Sequence, residues 1–595
     1  MNESSESSRE VAHGARKALG IDDLVLAVHD ASFPSDAGED VGRGSPYSRG
    51  ARRLCEFADS LGFTGLQLGP QGVTTRVNRS PYDGSVFSRN PLSIAFDALR
   101  GKPEWEGLVD DAMVEAATSA TPPGLGRVHH AVADEAQGRA LDTMFSRFSR
   151  LVGHGAASSG ARDLIERFAA FRRAAAGWLD HDADFEARAA EACSDDPSLW
   201  PLDLTPGPAA QRWAARYAFA QFVVHTQHAA FRGQTHALGW KVFGDLQIGL
   251  SPRDRWRREA LFLDRYALGA PPSRTDPLGQ PWGYGVLRPD SRDARAFFRA
   301  RIRKMAHEYD GIRIDHPHGL VCPWVYDRTA RDALRAVAQG ARLHESPDLD
   351  DHRALSRYAI ARPDQLDRSV PRHADGWVRS LDSPQIERYA ENIAIVVDEL
   401  AAAGSDDIAC EVLSTAPFPL VEVLHRYALG RFRVTQKADL SNPRDGYRSE
   451  NAAPRDWIMV GTHDTAPLAL VVDGWFAAGT ASRRAAYLAE RLAPRESERP
   501  ALAEALARDR GSLVRGMFAD LFASPARHVL VFMSDLFGLG DVYNKPGIVN
   551  DDNWGLRVPN DFEATYRRNL AAGTAMDLPG AFALALRARK RAIDG

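Results

Sequence analysis

The chain reads as an α/β protein, a (β/α)8 TIM barrel with helical insertion subdomains. Three observations predict this. Eight short apolar runs recur along the chain, helical stripes lie between several of them, and polar residues gather where the runs end.

The runs are LVLAVHD (24–30), GLQLGP (65–70), KVFGDLQI (241–248) and DGIRIDH (310–316), then DIACEVL (407–413), GRFRVTQ (430–436), DWIMVGTHD (456–464) and HVLVFMSDL (528–536). Most are continuously apolar rather than alternating, as strands buried on both faces are. Leu54, Phe57, Ala58 and Leu61 form one helical stripe, and Phe298, Ile302, Met305 and Tyr309 form a second. Ile386, Tyr389, Ile393, Val396 and Leu400 form a third, with Gly404 as its stop signal. An open doubly wound sheet has the same local patterns, but the strand count favours the barrel.

The spacing between runs is uneven. Residues 1–21 read as a polar N-terminal tail and 22–595 as the catalytic barrel. A helical insertion is expected over about 100–238, carried by segments such as 161–179 and 209–231. A second insertion, about 317–406, reads as an added loop or lid, with 345–380 expected to help exclude water.

Composition narrows the function. Lys+Arg is 74 against Asp+Glu 79, a net charge of −5, and 44% of residues are hydrophobic. This balance speaks against disorder and against binding nucleic acid by positive charge. Cys55, Cys193, Cys322 and Cys410 are widely spaced, which fits neither a disulfide framework nor a zinc ribbon. No uninterrupted apolar run is long enough to span a membrane, and the first residues lack an apolar signal core. The expectation is a cytoplasmic protein with no membrane partner.

The run ends carry the candidate chemistry: Asp245, Arg313, Asp315, Glu411, His463, Asp464 and Asp535. Any one acid at a strand end is most often a cap or a solvated turn residue. Carboxylates on four or more strands are harder to explain that way. Arg313 and Asp315 are two apart and leave a strand on the same face, so the guanidinium can hold the carboxylate ionised. Glu411 sits between IAC and VL, a setting that favours the protonated acid. An ionised Asp beside a protonated Glu is the equipment of a retaining glycosidase or transglycosylase. Tyr82, Trp282, Tyr284 and Trp554 are candidate sugar-stacking aromatics, although most aromatics are core residues. No G-x-S-x-G, G-x-x-x-x-G-K-[ST] or G-x-G-x-x-G motif is present. His316 and His318, like His129 and His130, lack an H-E-x-x-H context, so no metal site is expected.

The motifs run in a recognisable order: VLAVHDASFP (25–34), LQLGPQG, SPYDGSVFSRNPLSI (80–94), ERFAAFRRAAAGWLDHDADFEA (166–187), FGDLQIGL, LGAPPSRTDPLGQPWGYGVLRPD (268–290), RIDH, Glu411, GTHD and GLGDVYNKPGIVNDDNWGLR (538–557). In this the chain resembles the 4-α-glucanotransferases, the amylomaltases or disproportionating enzymes of glycoside hydrolase family 77, over roughly 22–560. The resemblance implies that Asp315 is the nucleophile and Glu411 the general acid/base. It implies that His463 and Asp464 bind the transition state, and that Tyr82 and Asp245 belong to the sugar-binding set. Arg313, Trp282, Asn553 and Trp554 join the substrate-binding set. The implied partners are maltooligosaccharides and glycogen- or starch-derived glucans, with no cofactor. Departures from the family pattern flank the chemistry: Cys410-Glu411-Val412-Leu413-Ser414, GTHDTA, RIDHPHG, Trp282-Gly283-Tyr284-Gly285 and Asn553-Trp554-Gly555-Leu556-Arg557. RIDHP-x-GL is also similar to maltooligosyltrehalose synthases. An intramolecular transglycosylase and a catalytically weak glucan-binding regulator are therefore the alternatives.

Overall fold

Twelve strands occur among the described residues. In chain order they are β1 (Asp23–Ala27), β2 (Gly65–Gln67), β3 (Lys241–Leu246), β4 (Phe262–Ala270), β5 (Gln280–Leu287), β6 (Gly311–Ile314), β7 (Trp324–Asp327), β8 (Ala341–Arg342), β9 (Asp407–Cys410), β10 (Gly430–Val434), β11 (Trp457–Met459) and β12 (His528–Phe532). The computed structural model describes residues 3–594, apart from 122–125, 156–157, 274–275 and 414. Eight strands close into a barrel in the order β1-β12-β11-β10-β9-β6-β3-β2. These are the eight apolar runs of the sequence. Their buried, β-branched residues, such as Val25, Val242, Ile312, Ile408 and Val529, face neighbours on both sides.

The chain divides into two compact units, 1–81 with 88–242 and 433–595, and 82–87 with 243–432. In the first, β1 pairs in parallel with β12 (Val25 opposite Leu530) and with β2 (Leu26 opposite Leu66). The long helices His130–Gly153, Ser159–Ala192 and Pro208–Ala237 follow β2. Ser158 caps the second by accepting from the Ala161 amide, and Pro208 opens the third at a position needing no amide donor. They pack through apolar faces: Leu179 and Tyr217 are buried together, and Phe148 stacks on Phe219 at 4.5 Å.

The N-terminal segment differs from its reading as a tail. Glu3–Ala18 is a helix, and Leu19 and Ile21 just beyond it are 0% and 2% exposed. Arg16 donates to the carbonyls of Ile21 and Asp22, and Arg9 pairs with Asp59 at 2.5 Å. Polarity misleads here because the apolar anchors lie after the helix. Met1 and Asn2 lie outside the described residues.

In the second unit, β3 pairs with β6 and β6 with β9. The helix Arg292–Glu308 leads into β6 and buries Phe298, Ile302 and Met305. Beside these strands stands a four-stranded antiparallel sheet, β5-β4-β7-β8, which the sequence patterns did not show. It accounts for part of the 317–406 insertion. The remainder is not a loose lid. Leu355 is buried against Leu268, Val325 and Leu343, while Trp377 and Val378 are buried with Ala361 and Leu366. Within 345–380 the helical parts are short 3-10 turns, Asp350–Tyr358 and Pro363–Gln365, with His352, Leu355 and Tyr358 buried at a spacing of three, so the segment reads as a loop although it is packed.

Candidate active site

Register assembles the acidic cluster of the second unit. Asp245 on β3 lies opposite Arg313 on β6, which in turn lies opposite Ala409 on β9. Side chains alternate along strands, so the residues two further on, Asp315 and Glu411, share that face one layer nearer the C-terminal ends. The ladder continues through this layer, with the Asp315 amide on the Leu246 carbonyl and the Glu411 amide on the Ile314 carbonyl. Ala409 is small, and the arginine lies in its layer.

Arg313 spans both layers. Its Nη1 donates to both carboxylate oxygens of Asp245 at 2.7 and 2.6 Å. Its Nη2 donates to Asp315 at 3.2 Å and to Glu411 at 2.5 Å. The Tyr82 hydroxyl donates to Asp245 at 2.9 Å, and the Tyr82 and Phe432 rings lie 5.7 and 5.8 Å from the guanidinium carbon. One shared nitrogen thus ties the two proposed reacting acids together, and their donor atoms lie within 4.8 Å of one another.

The electrostatics follow from one cation facing three carboxylates. Burial works against the Arg313 charge, but Asp245, Glu411 and Asp315 outweigh it and hold the group well above the usual guanidinium range. Asp245 is pushed up to about 6, mainly by burial and further by the charge of Asp315, while Arg313 and Tyr82 oppose the shift. All four side chains are buried, with Asp315 the most exposed at 9%. Asp245 and Arg313 were expected in the substrate-binding set. In the structure Asp245 accepts from Arg313 and Tyr82, and Arg313 donates to Asp245 and to the two acids. Arg313→Met is expected to destabilise the fold by about 3–5 kcal/mol, because it leaves buried carboxylates without a counter-charge. Urea unfolding measures this, and adding Asp245→Asn should recover part of the loss.

Trp282 lies on β5, its indole donating to Gln280 at 3.0 Å and its ring 5.2 Å from His316. His316 immediately follows Asp315 and has φ +42, a left-handed conformation unusual for histidine. Tyr284 packs beside Trp282 and donates to Asp83 at 2.7 Å. His318 is half-buried with one ring nitrogen on the Thr415 carbonyl, and desolvation lowers it to about 3, so it stays neutral. Asp315, His316 and Glu411 form the one His/Cys/Asp/Glu grouping with metal-like spacing among the described residues. The cation held between its two acids is the Arg313 guanidinium.

His463, Asp464 and Trp554 form a cluster in the first unit. Trp554 stacks on His29 at 5.7 Å and 16°, and His463 lies 5.1 Å from His29. Gly69 is required beside them, since a Cβ there would meet the His29 ring at 2.6 Å. The Asp464 side chain is 37% exposed, accepts from Asn544 at 2.6 Å and lies 3.4 Å from His463. Trp554 has φ +61. Asn553, expected to bind substrate, does not reach outward: its amide nitrogen donates to Lys545 and Ile548 carbonyls and its oxygen accepts from the Lys545 amide. It closes the loop that presents Trp554. Sequence reasoning assigned no role to His29, Tyr543 or Asn544. The VHD at the end of the first run was the available signal for His29. Ser414, one of the departures from the family pattern, lies outside the described residues.

Asp535 is structural. It is 4% exposed and accepts from the Leu468 amide at 2.7 Å, anchoring the helix Leu468–Ala477. Burial pushes its carboxyl up to about 7. The folded state therefore holds a proton that the unfolded chain releases near pH 4, so this group's contribution to stability falls as pH rises from about 4 to about 7. Asp535→Asn keeps an oxygen for Leu468 and carries no charge. It is expected to match the wild type near pH 4 and to be about 2–4 kcal/mol more stable at pH 8, by denaturant unfolding across that range.

A parallel barrel whose adjacent strands present two carboxylates linked by one arginine is the frame on which enzymes acting on glycosidic bonds are built. Within that class the chain belongs to the 4-alpha-glucanotransferase family, whose model matches residues 28–563. A 4-alpha-glucanotransferase of Thermus thermophilus is 28% identical over 322 residues, 50% of this chain and 59% of that protein. One from Mycobacterium tuberculosis strain H37Rv is 29% identical over 280 residues, 43% of this chain and 36% of that protein. The matches thus span 59% and 36% of these relatives' lengths. The amylomaltase of Streptococcus agalactiae, solved in complex with acarbose, shares the fold with a TM-score of 0.65 at 16% identity, over 93% of this chain and 100% of that one.

Proposed function

We propose that the protein is a retaining 4-α-glucanotransferase that moves α-1,4-glucan segments between maltooligosaccharides. The observation that carries this reading is the Arg313-linked pair, with donor atoms of Asp315 and Glu411 within 4.8 Å. That spacing belongs with retention, since an inverting pair needs about 6.5–9.5 Å to admit a water.

Glu411 gives its proton to the departing glycosidic oxygen while Asp315 attacks the anomeric carbon. The shortened glucan leaves and a β-glucosyl ester forms. Glu411, now a carboxylate, takes the proton from the 4-hydroxyl of an incoming glucan as that oxygen displaces Asp315. Two inversions return the α configuration. The nucleophile, acid and base are all carboxyl groups, so the chemistry asks for no cofactor. Arg313, fixed by Asp245 and Tyr82, holds Asp315 and Glu411 in place through one nitrogen. Trp282 with His316, and the aromatic group around Trp554, serve as sugar-stacking surfaces. His463 and Asp464 take the transition-state-binding role of the family motif. Transfer outpaces hydrolysis where acceptor sugar displaces water.

Maltooligosaccharides and glycogen- or starch-derived glucans are the substrates. The cytoplasm is the assigned compartment, supported by four cysteines that remain free thiols, three of them buried. No helix among the described residues is long and apolar enough to cross a membrane. Incubation with maltotriose tests the reading: a ladder of longer glucans with release of glucose is expected. Loss of reducing ends without a ladder, or binding without products, would overturn it.

A further inference from the structure

A cavity of about 360 Å³ lies in the second unit, among the helix Arg292–Glu308, the antiparallel sheet and the helix Glu391–Ala402. Its walls are largely apolar, with Leu268, Val286, Phe298, Leu320, Leu343 and Tyr389 among them. The volume falls within the range of small-molecule sites. The acid cluster does not line it.

One wall residue stands out. Arg301 is 5% exposed, and its guanidinium makes one hydrogen bond, from Nη2 to the Gln247 carbonyl at 2.6 Å. Its Nε has no hydrogen-bond partner, and no carboxylate lies within ion-pair distance among the described residues. Burial lowers it to about 10, partly opposed by Asp254, Asp245 and Asp315, so it stays charged near neutral pH. A buried, unpaired cation costs free energy unless an anion meets it. The mouth has the same sign. It carries Arg288, Arg295, Arg357 and Arg388 against Asp290 and Glu391. Arg357 pairs with Asp290, Arg295 with Glu391 and Arg288 with Asp264, so Arg388 is the arginine that leaves the mouth positive.

We infer that this cavity is a binding site for a small amphipathic anion, an acyl or aryl body bearing one carboxylate or phosphate that pairs with Arg301. The body fills the apolar walls, and the positive mouth draws the head group in. The site bears on the acid cluster through the chain, because Arg301 holds the carbonyl of Gln247, two residues beyond Asp245.

Titration calorimetry and thermal shift with octanoate, octyl phosphate, octanol and acetate test the site on the full chain. Octanoate or octyl phosphate is expected to bind saturably and raise Tm, and the tighter of the two identifies the head group. Octanol lacks the anion and acetate lacks the body, so each should bind about ten-fold weaker or worse. Arg301→Met should weaken the anions about ten-fold and leave octanol unchanged. Because Arg301 also holds Gln247, a second variant keeps it: Ala294→Phe fills the cavity from the helix wall and should abolish anion binding. No saturable binding of either anion, octanol binding as tightly as octanoate, or undiminished binding to Ala294→Phe overturns the proposal.

Discussion

Asp315→Ala is expected to lower maltotriose disproportionation by ~10⁴-fold or more, with little change in fold. In the proposed mechanism this carboxylate makes the covalent bond to the anomeric carbon, and no neighbour takes over. Asp245 is buried one layer below with both oxygens on Arg313, and Glu411 is committed to the leaving oxygen. The deletion also leaves space where the nucleophile stood. With α-maltosyl fluoride as donor and azide as a small external nucleophile, the variant should form β-maltosyl azide, the product of a single inversion. An α-azide, or wild-type turnover of maltotriose, would remove Asp315 from the nucleophile role. Arg313 loses one of three carboxylate partners, so urea unfolding should show a midpoint close to that of the wild type.

The second large effect belongs to Glu411→Ala, which separates acid from base. With maltotriose the loss should be ~10²–10⁴-fold, because the leaving sugar oxygen then departs without a proton. Fluoride needs no such help, so α-maltosyl fluoride should still glycosylate Asp315. The ester then waits for a base to activate the acceptor, and mass spectrometry of the quenched protein should show one added maltosyl group. Azide needs no base. It should restore turnover and yield the α-azide after two inversions, the opposite anomer to that of Asp315→Ala. The same anomer from both variants would contradict a double displacement.

Much of this site was legible in the chain. Arg313 and Asp315 are two apart in an apolar run, and strand geometry alone puts them on one face. Glu411 was recognisable as an acid closing another run. What could not be read was the company Arg313 keeps. Asp245 and Glu411 reach it through the pairing of β3 with β6 and β6 with β9, and register between strands leaves no local mark. The sequence counted Asp245 and Arg313 in the substrate-binding set through the family resemblance; in the fold Asp245 accepts from Arg313 and Tyr82, and Arg313 donates to Asp245 and the two acids. Asn553, placed in the substrate-binding set by the resemblance, has an amide that closes its own loop, a contact that only the structure displays. The antiparallel sheet escaped notice because FLDRYALGA and QPWGYGVL mix charged, glycine and aromatic residues, unlike the barrel runs.

The chain by itself determined the barrel, the helical excursion after β2 and the acids that close its strands. These depend on local apolar periodicity and on which side chain ends each strand. The tertiary structure alone decided that one guanidinium joins the two acids, that the 345–380 segment is packed, and that an arginine without an ion pair lines an apolar cavity. Each of these depends on residues far apart in sequence meeting across strands and layers, and such meetings are fixed by packing and hydrogen bonding.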